Sequence, residues 1–284
     1  TIKNLPTKNM TGFDPEFVQL LSTINKDLYS HPLSKDSFDL SGYTKGKAEV
    51  ILFQDNDIFE SVQSPFVVVV VNQTMILAWR GTVTMADWLR DFAFHPSSSS
   101  RWSKVAESVK VSAGDLSLIE TCLGENEDYL IEQIENHNIT QIVTTGHSLG
   151  GMLAFAANLW LVGSWTPELN GGITNPKWAD LVAKQGLSVR TMGFEAGMNA
   201  MLYNSTDKDA NQKGMDFLKK VGSTTINTVY GQDVVPRAPG NLKYVNDVVN
   251  NLENSLGHIS WDNFFPSDLT NTFWLLSCHY THPI

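Results

Sequence analysis

The sequence predicts an α/β fold, with a central, mostly parallel sheet flanked by helices. Three observations predict it. Strand-like and helix-like stretches alternate along the chain, as they do in strand–helix–strand units. The stretches at 66–71 and 75–80 are apolar and β-branched with no polar alternation, so they are buried on both faces, as in the middle of a helix-covered sheet. At 140–161 a β-branched run turns sharply through glycines into an apolar helical run.

A chain of 284 residues has room for a sizeable core and fits one α/β domain over 1–284. Within it, 1–45 reads as an N-terminal helix and loop, and 163–187 as an excursion. The formal net charge is −10, with no block of like charge. Phosphate binding needs a basic face, so a nucleic-acid partner is not expected, and neither is strong attraction to anionic membranes. The longest apolar run, 66–71, is too short to span a bilayer, so no transmembrane segment is read. Thr1 in place of a methionine points to a processed or trimmed start. Sequons at Asn9, Asn72, Asn138 and Asn204 fit a secreted or luminal chain, although a chain this rich in asparagine produces some by chance. Cys122 and Cys278 form either one long-range disulfide or two buried thiols. Nothing in the sequence sets an oligomeric state.

In order, Phe13, Phe17, Leu20, Leu21, Ile24 and Leu28 recur at helical spacing around Asp14-Pro15-Glu16, a good helix start. This predicts a helix within 12–30, then a Ser-, Gly- and Lys-rich loop over 31–46 and a short strand at 50–53. Asn72-Gln73-Thr74 joins the two apolar strands, and Arg80-Gly81-Thr82 ends the second. Met85, Trp88, Leu89 and Phe92 stand at i, i+3, i+4 and i+7, a short amphipathic helix near 84–94. Residues 104–137 read as helical, with Leu116, Ile119, Leu123, Leu130, Ile131 and Ile134 inward; 104–111 is open between strand and loop. The excursion holds a short helix around 178–184. A strand at 188–194, a polar loop and helix over 205–220 and a strand at 225–230 follow. The last ends near Gly231-Gln232-Asp233-Val234-Val235-Pro236.

The chemistry centres on Gly146-His147-Ser148-Leu149-Gly150, at the strand-to-helix turn. A Gly-x-Ser-x-Gly pattern in that context reads as a nucleophile elbow with Ser148 at its strained tip. Gly146 and Gly150 leave room where a Cβ would meet the neighbouring strand or helix. The helix start then places N–H groups and a positive dipole end beside the serine oxygen. A serine hydroxyl is a weak nucleophile unless a histidine removes its proton, and that histidine needs a carboxylate to set its tautomer. Asp233, where a strand ends, is the candidate acid. His258 is the favoured base, with His282 and then His279 as alternatives in the last six residues, where chain ends fray. His147 is not assigned this role, because its side chain is expected to point away from that of Ser148. The tetrahedral intermediate needs oxyanion donors, and the N–H of Leu149 and the N–H and hydroxyl of Thr82 are the candidates. Thr82 otherwise serves as a helix cap.

Three motifs occur together: Thr145-Gly146-His147-Ser148-Leu149-Gly150-Gly151, Arg80-Gly81-Thr82 followed by Asp87-Trp88-Leu89, and Asp233-Val234-Val235-Pro236-Arg237-Ala238-Pro239. Through them, over roughly residues 48–240, the chain resembles the fungal-type class 3 lipases. The resemblance implies an α/β-hydrolase fold and hydrolysis of carboxylic esters with no metal or other cofactor. It carries Ser148, Asp233, Thr82 and Leu149 onto the nucleophile, acid and oxyanion pair. It also makes 84–94 a lid whose face of Met85, Trp88, Leu89 and Phe92 covers the nucleophile in water and meets lipid when open; the alternative is an ordinary core-packed helix. There are two departures. The stretch from elbow to acid is longer than in compact members. Past Pro239, His258-Ile259-Ser260-Trp261 looks like the family's histidine segment, yet Tyr280-Thr281-His282-Pro283 is similar to a stretch that members carry before that histidine. The expected function is a serine esterase, a lipase that cleaves acylglycerols at an interface through an acyl-enzyme on Ser148. The alternatives are a phospholipase A1 or feruloyl-type esterase, and, outside enzymes, a non-catalytic protein of the same fold that binds a lipid or partner.

Overall fold

The computed structural model describes residues 14–30, 34–54, 57–59, 62–63, 66–81, 96–104, 106–166, 175–196, 200–202 and 207–228. In chain order the strands are β1 (Ala48–Gln54), β2 (Asp57–Phe59), β3 (Val62–Gln63), β4 (Phe66–Val71), β5 (Thr74–Trp79), β6 (Pro96–Ser97), β7 (Val109–Ser112), β8 (Gln141–His147), β9 (Ser188–Phe194), β10 (Ala200–Leu202) and β11 (Thr225–Thr228). The α-helices are α1 (Pro15–Asp27), α2 (Ala113–Ile119), α3 (Glu127–Asn136), α4 (Leu149–Trp165), α5 (Lys177–Gln185) and α6 (Lys208–Gly222).

The largest sheet has the order β1-β4-β5-β8-β9-β11. From β5 onward its neighbours run parallel, whereas β1, β4 and β5 pair antiparallel. The antiparallel part follows from the short β4–β5 connection, since only antiparallel neighbours can be joined by a tight turn. Asn72 takes the left-handed φ of 53° in that turn, a conformation asparagine tolerates better than most residues.

The unbroken apolar run of β4 resolves by parity into two cores. Val67, Val69 and Val71 join Ile76, Ala78, Val143 and Met192 under Phe17, Leu20, Leu21 and Ile24 of α1. Phe66, Val68 and Val70 join Met75, Leu77 and Trp79 under the opposite layer, which includes α4. Each large side chain fully buried in this way stabilises the fold by roughly 1.5–3 kcal/mol before entropy is counted. Helix α4 is buried almost all round, from Leu149 to Ser164, because the sheet covers one side and other helices the other. Helix α1 starts as expected, with Asp14 accepting from the Glu16 N–H at 2.8 Å and Pro15 as its first residue.

Several elements depart from the sequence reading. Residues 104–137 are not one helix: β7 comes first, and α2 widens into a π turn at Glu120–Gly124 before α3 begins. Asn126 accounts for the break, its Nδ2 donating to the Cys122 carbonyl and to Gln54 Oε1, both at 2.9 Å. Helix α4 runs on to Trp165, past the expected start of the excursion, because Gly163 packs against Arg101, where a Cβ would lie 2.8 Å from its carbonyl. Strand β8 extends to His147 and so carries the first glycine of the elbow within the sheet. The loop at 31–46 includes a short 3-10 turn at Lys35–Ser37. Cys122 is buried, and Cys278 lies outside the described residues.

One buried acid conflicts with its surroundings. Asp115 sits in the first turn of α2, its N–H donating to the N-cap Ser112 Oγ at 3.4 Å. Its side chain is fully buried, and neither carboxylate oxygen has a hydrogen-bond partner among the described residues. A helix start favours a carboxylate by only about 0.3–1 kcal/mol. Burial outweighs this and pushes the carboxyl up to about 8. The folded state therefore holds a proton that the unfolded chain releases above its ordinary value of 3.8, and stability falls as pH rises from there to about 8. Asp115→Asn removes this loss. Its melting temperature is expected to match the parent near pH 4 and to rise above it progressively toward about pH 8, by the equivalent of a few kcal/mol. Thermal melts across that range, with a pH-independent difference as the contrary result, decide it.

Candidate active site

The site stands at the carboxyl edge of the parallel strands, where α/β sheets present their ligands. Register aligns the strand ends. Trp79 lies opposite Gly146, Gly146 opposite Gly193, and His147 opposite Phe194, which also faces Thr228. Arg80-Gly81, Ser148 and Glu195 therefore leave the sheet side by side.

Ser148 holds φ 56° and ψ −121°, and its side chain is partly exposed. Such a conformation costs a non-glycine residue on the order of 1–3 kcal/mol and persists only where neighbours over-determine it. Here the Ser148 N–H donates to the Phe194 carbonyl at 2.9 Å. Its own carbonyl accepts from Gly151 at 3.0 Å and Met152 at 3.3 Å, starting α4. The turn fits only without side chains on its flanks. A Cβ on Gly146 would lie 2.0 Å from the Gly150 carbonyl carbon, and one on Gly150 would lie 2.1 Å from the Trp79 oxygen. Leu149 is buried at the first position of α4, and among the described residues its N–H has no acceptor. That leaves a backbone donor and the positive end of a helix next to the serine.

Polar contacts lie under the turn. Thr144 and Thr191 hydroxyls pair at 2.7 Å, and Asn158 Nδ2 donates to Thr191 at 2.8 Å. Thr145 Oγ1 donates to the Met192 carbonyl at 2.7 Å and accepts from Asn25 Nδ2 at 2.9 Å. His147 is held at both ring nitrogens, Nδ1 by the Tyr29 hydroxyl at 2.9 Å and Nε2 by Glu195 at 3.2 Å. With both nitrogens engaged it has none left to serve Ser148 as base. Burial raises the Tyr29 hydroxyl above its ordinary value, against a hydrogen bond with the Gly81 backbone and the charge of Arg80, so Tyr29 stays a donor near neutral pH. Tyr29 and Glu195 were not among the sequence candidates. A signal existed for Glu195, which directly follows a strand at the ligand-binding edge.

Of the predicted site residues, the structure places Ser148 and Leu149 together at the elbow. Thr82, Met85, Trp88, Leu89, Phe92, Asp233, His258, His279 and His282 lie outside the described residues. Among the described residues, no group of three or more His, Cys, Asp or Glu side chains is arranged to hold a metal ion.

The family model for "Lipase (class 3)" matches residues 76–243, more than half of the chain, from β5 past the motif at Asp233. The chain belongs to the class 3 lipase family. Curated relatives include lipases of Rhizopus niveus and Rhizopus oryzae, each 27% identical over 168 residues, which is 59% of this chain and 35% of the relative. The match thus spans about a third of the length of these relatives. Among solved structures, lipase II of Rhizopus niveus is similar with a TM-score of 0.56 at 19% identity, over 79% of this chain and 74% of that one. The triacylglyceride lipase of Rhizomucor miehei is similar with a TM-score of 0.54 at 19% identity, over 81% and 77%. At such identities the likeness shows the fold, and it is the α/β-hydrolase fold of these class 3 lipases.

The close backbone contacts make a direct prediction. Gly146→Ala and Gly150→Ala are each expected to lower stability by more than about 2 kcal/mol, since backbone must move to admit the methyl group. Gly222→Ala, in open space at the end of α6, is expected to be neutral or slightly stabilising. Denaturant midpoints of the three variants test this, and an unperturbed Gly150→Ala protein contradicts it.

Proposed function

We propose that the protein is a serine carboxylic-ester hydrolase that cleaves acylglycerols at a lipid–water interface. The observation that carries this reading is Ser148 itself, held at positive φ on the tip of an elbow, with the Leu149 N–H, unclaimed among the described residues, beside it, in a chain of the class 3 lipase family. In the proposed reaction Ser148 Oγ attacks the ester carbonyl while His258 takes its proton. Asp233 orients the imidazole and stabilises its protonated form. The N–H groups of Leu149 and Thr82 hold the oxyanion. Collapse of the tetrahedral intermediate expels the alcohol, which takes the proton from His258. Water then attacks the acyl-enzyme, returns the serine and releases the fatty acid. The stretch 84–94, with Met85, Trp88, Leu89 and Phe92 at the spacing of an amphipathic helix, is proposed as the lid that opens on lipid. No helix among the described residues is long and apolar enough to cross a membrane; secretion is proposed from the sequons.

A fluorophosphonate probe is expected to label the folded protein at Ser148 and to leave Ser148→Ala unlabelled. Folded protein that resists labelling supports the non-catalytic binding reading instead. His258→Ala is expected to lower ester hydrolysis at least about a thousandfold, whereas His279→Ala and His282→Ala retain activity. Full activity of the His258 variant transfers the role to His282 or His279. With a lid, the rate rises sharply when substrate forms an emulsion; a rate that follows monomeric substrate alone removes the lid from the mechanism.

A further inference from the structure

The elbow is braced by groups that the proposed chemistry leaves unused. Asn25 and Tyr29 stand four residues apart at the end of α1, a rise of about 6 Å in a helix. Thr145 and His147 stand two apart on one face of β8, a rise of about 6.6 Å in a strand. The steps match, so both pairs close, at 2.9 Å each.

The direction of each bond follows from the groups themselves. The Glu195 carboxylate only accepts, so His147 Nε2 carries a hydrogen. In the neutral ring Nδ1 then holds a lone pair, and the Tyr29 hydroxyl donates to it. The Tyr29 oxygen in turn lies against Gly81. Gly81 is pressed into this contact: a Cβ there would lie 2.5 Å from Tyr29 Oη, 2.5 Å from the His147 carbonyl oxygen and 3.3 Å from Ser148 Cβ. One chain of contacts, hydrogen-bonded from Tyr29 through His147 to Glu195, therefore runs from Gly81, across the elbow, to the end of β9.

Glu195 is held for this. It is a non-glycine residue at φ 52°, a conformation that persists only under constraint. Its N–H donates to the Thr228 carbonyl at 2.7 Å. The next residue, Ala196, is gripped by Asn227, which accepts from its N–H at 3.1 Å and donates to its carbonyl at 2.8 Å. The His147 and Glu195 side chains are 40% and 30% exposed, so their attraction adds little to stability. What the pair supplies is direction.

We propose that Tyr29 and Glu195 are positioning residues that act through His147, fixing the oxyanion loop at Gly81 relative to the nucleophile Ser148. The kinetic consequence rests on the hydrolase reading above; the tautomer of His147 rests on the geometry alone. The test compares the native protein with Glu195→Ala, Glu195→Gln, Tyr29→Phe and the Tyr29→Phe/Glu195→Ala double variant on a water-soluble short-chain nitrophenyl ester. Rates are normalised to serine labelled by a fluorophosphonate. Glu195→Ala and Tyr29→Phe are each expected to lower kcat about tenfold with little change in KM, as a displaced oxyanion donor does. Glu195→Gln, whose amide oxygen still accepts from Nε2–H, recovers most of what alanine loses. The double variant falls well short of the product of the single effects, because both break one chain. Nitrogen NMR of the imidazole, which needs no turnover, is expected to show His147 as the Nε2–H tautomer, redistributed in Glu195→Ala. Native His147 in the Nδ1–H tautomer overturns the proposal, as does unchanged kcat in both single variants. If the native protein neither labels nor hydrolyses the ester, the hydrolase reading fails, and the tautomer measurement still decides whether this chain of bonds exists.

Discussion

The backbone of Gly150 lies against the carbonyl of Trp79, and the backbone of Gly146 lies against Gly150, with no space for a single carbon between them. The active edge depends on this contact. It draws the start of α4 down onto the ends of β5 and β8, so that the helix dipole and the Leu149 N–H, unclaimed among the described residues, arrive beside the serine. It also leaves the chain too little length to turn in an ordinary conformation, which is why Ser148 is driven to positive φ. A looser junction would relax the serine and move the helix start away together. Strain and electrostatics at this site are two results of one packing distance.

The contact holds because the sheet beneath it is locked from both sides. The strands that carry the site, β5 and β8, send alternate side chains into separate cores, one roofed by α1 and one by α4. Sliding either strand by one residue would exchange the two sets and misplace every buried contact. Register is therefore fixed by the hydrophobic pattern, and register is what brings Trp79, Gly146, Gly193 and Phe194 to one edge. The threonines on β8 and β9 add hydrogen bonds inside that edge, where an unpaired hydroxyl would cost more than a pair gains.

Much of this was legible in the residues. Continuous apolar strands announced burial on both faces, and Gly-x-Ser-x-Gly between a strand and a helix announced the elbow, because each pattern has few physical solutions. The boundaries that were missed share a different cause. The break at Glu120–Gly124 depends on Asn126 reaching Gln54, and the length of α4 depends on Gly163 meeting Arg101; both partners are remote in sequence. Tyr29 and Glu195 escaped notice for the same reason. Neither belongs to a local motif, and their meaning arises only when α1 and the end of β9 meet across His147. Local pattern reports what a segment is, whereas tertiary pairing decides which polar side chains acquire a task.

The bonds from α1 to the elbow strand join residues 120 and 118 positions apart. During translation the N-terminal helix leaves the ribosome well before β8 does, by on the order of ten seconds at ordinary elongation rates. It can already rest on β4 and β5, which share its core, but His147 and then Glu195 must follow before the elbow is gripped from both sides. The nascent chain thus carries its folding platform early and its finished turn late.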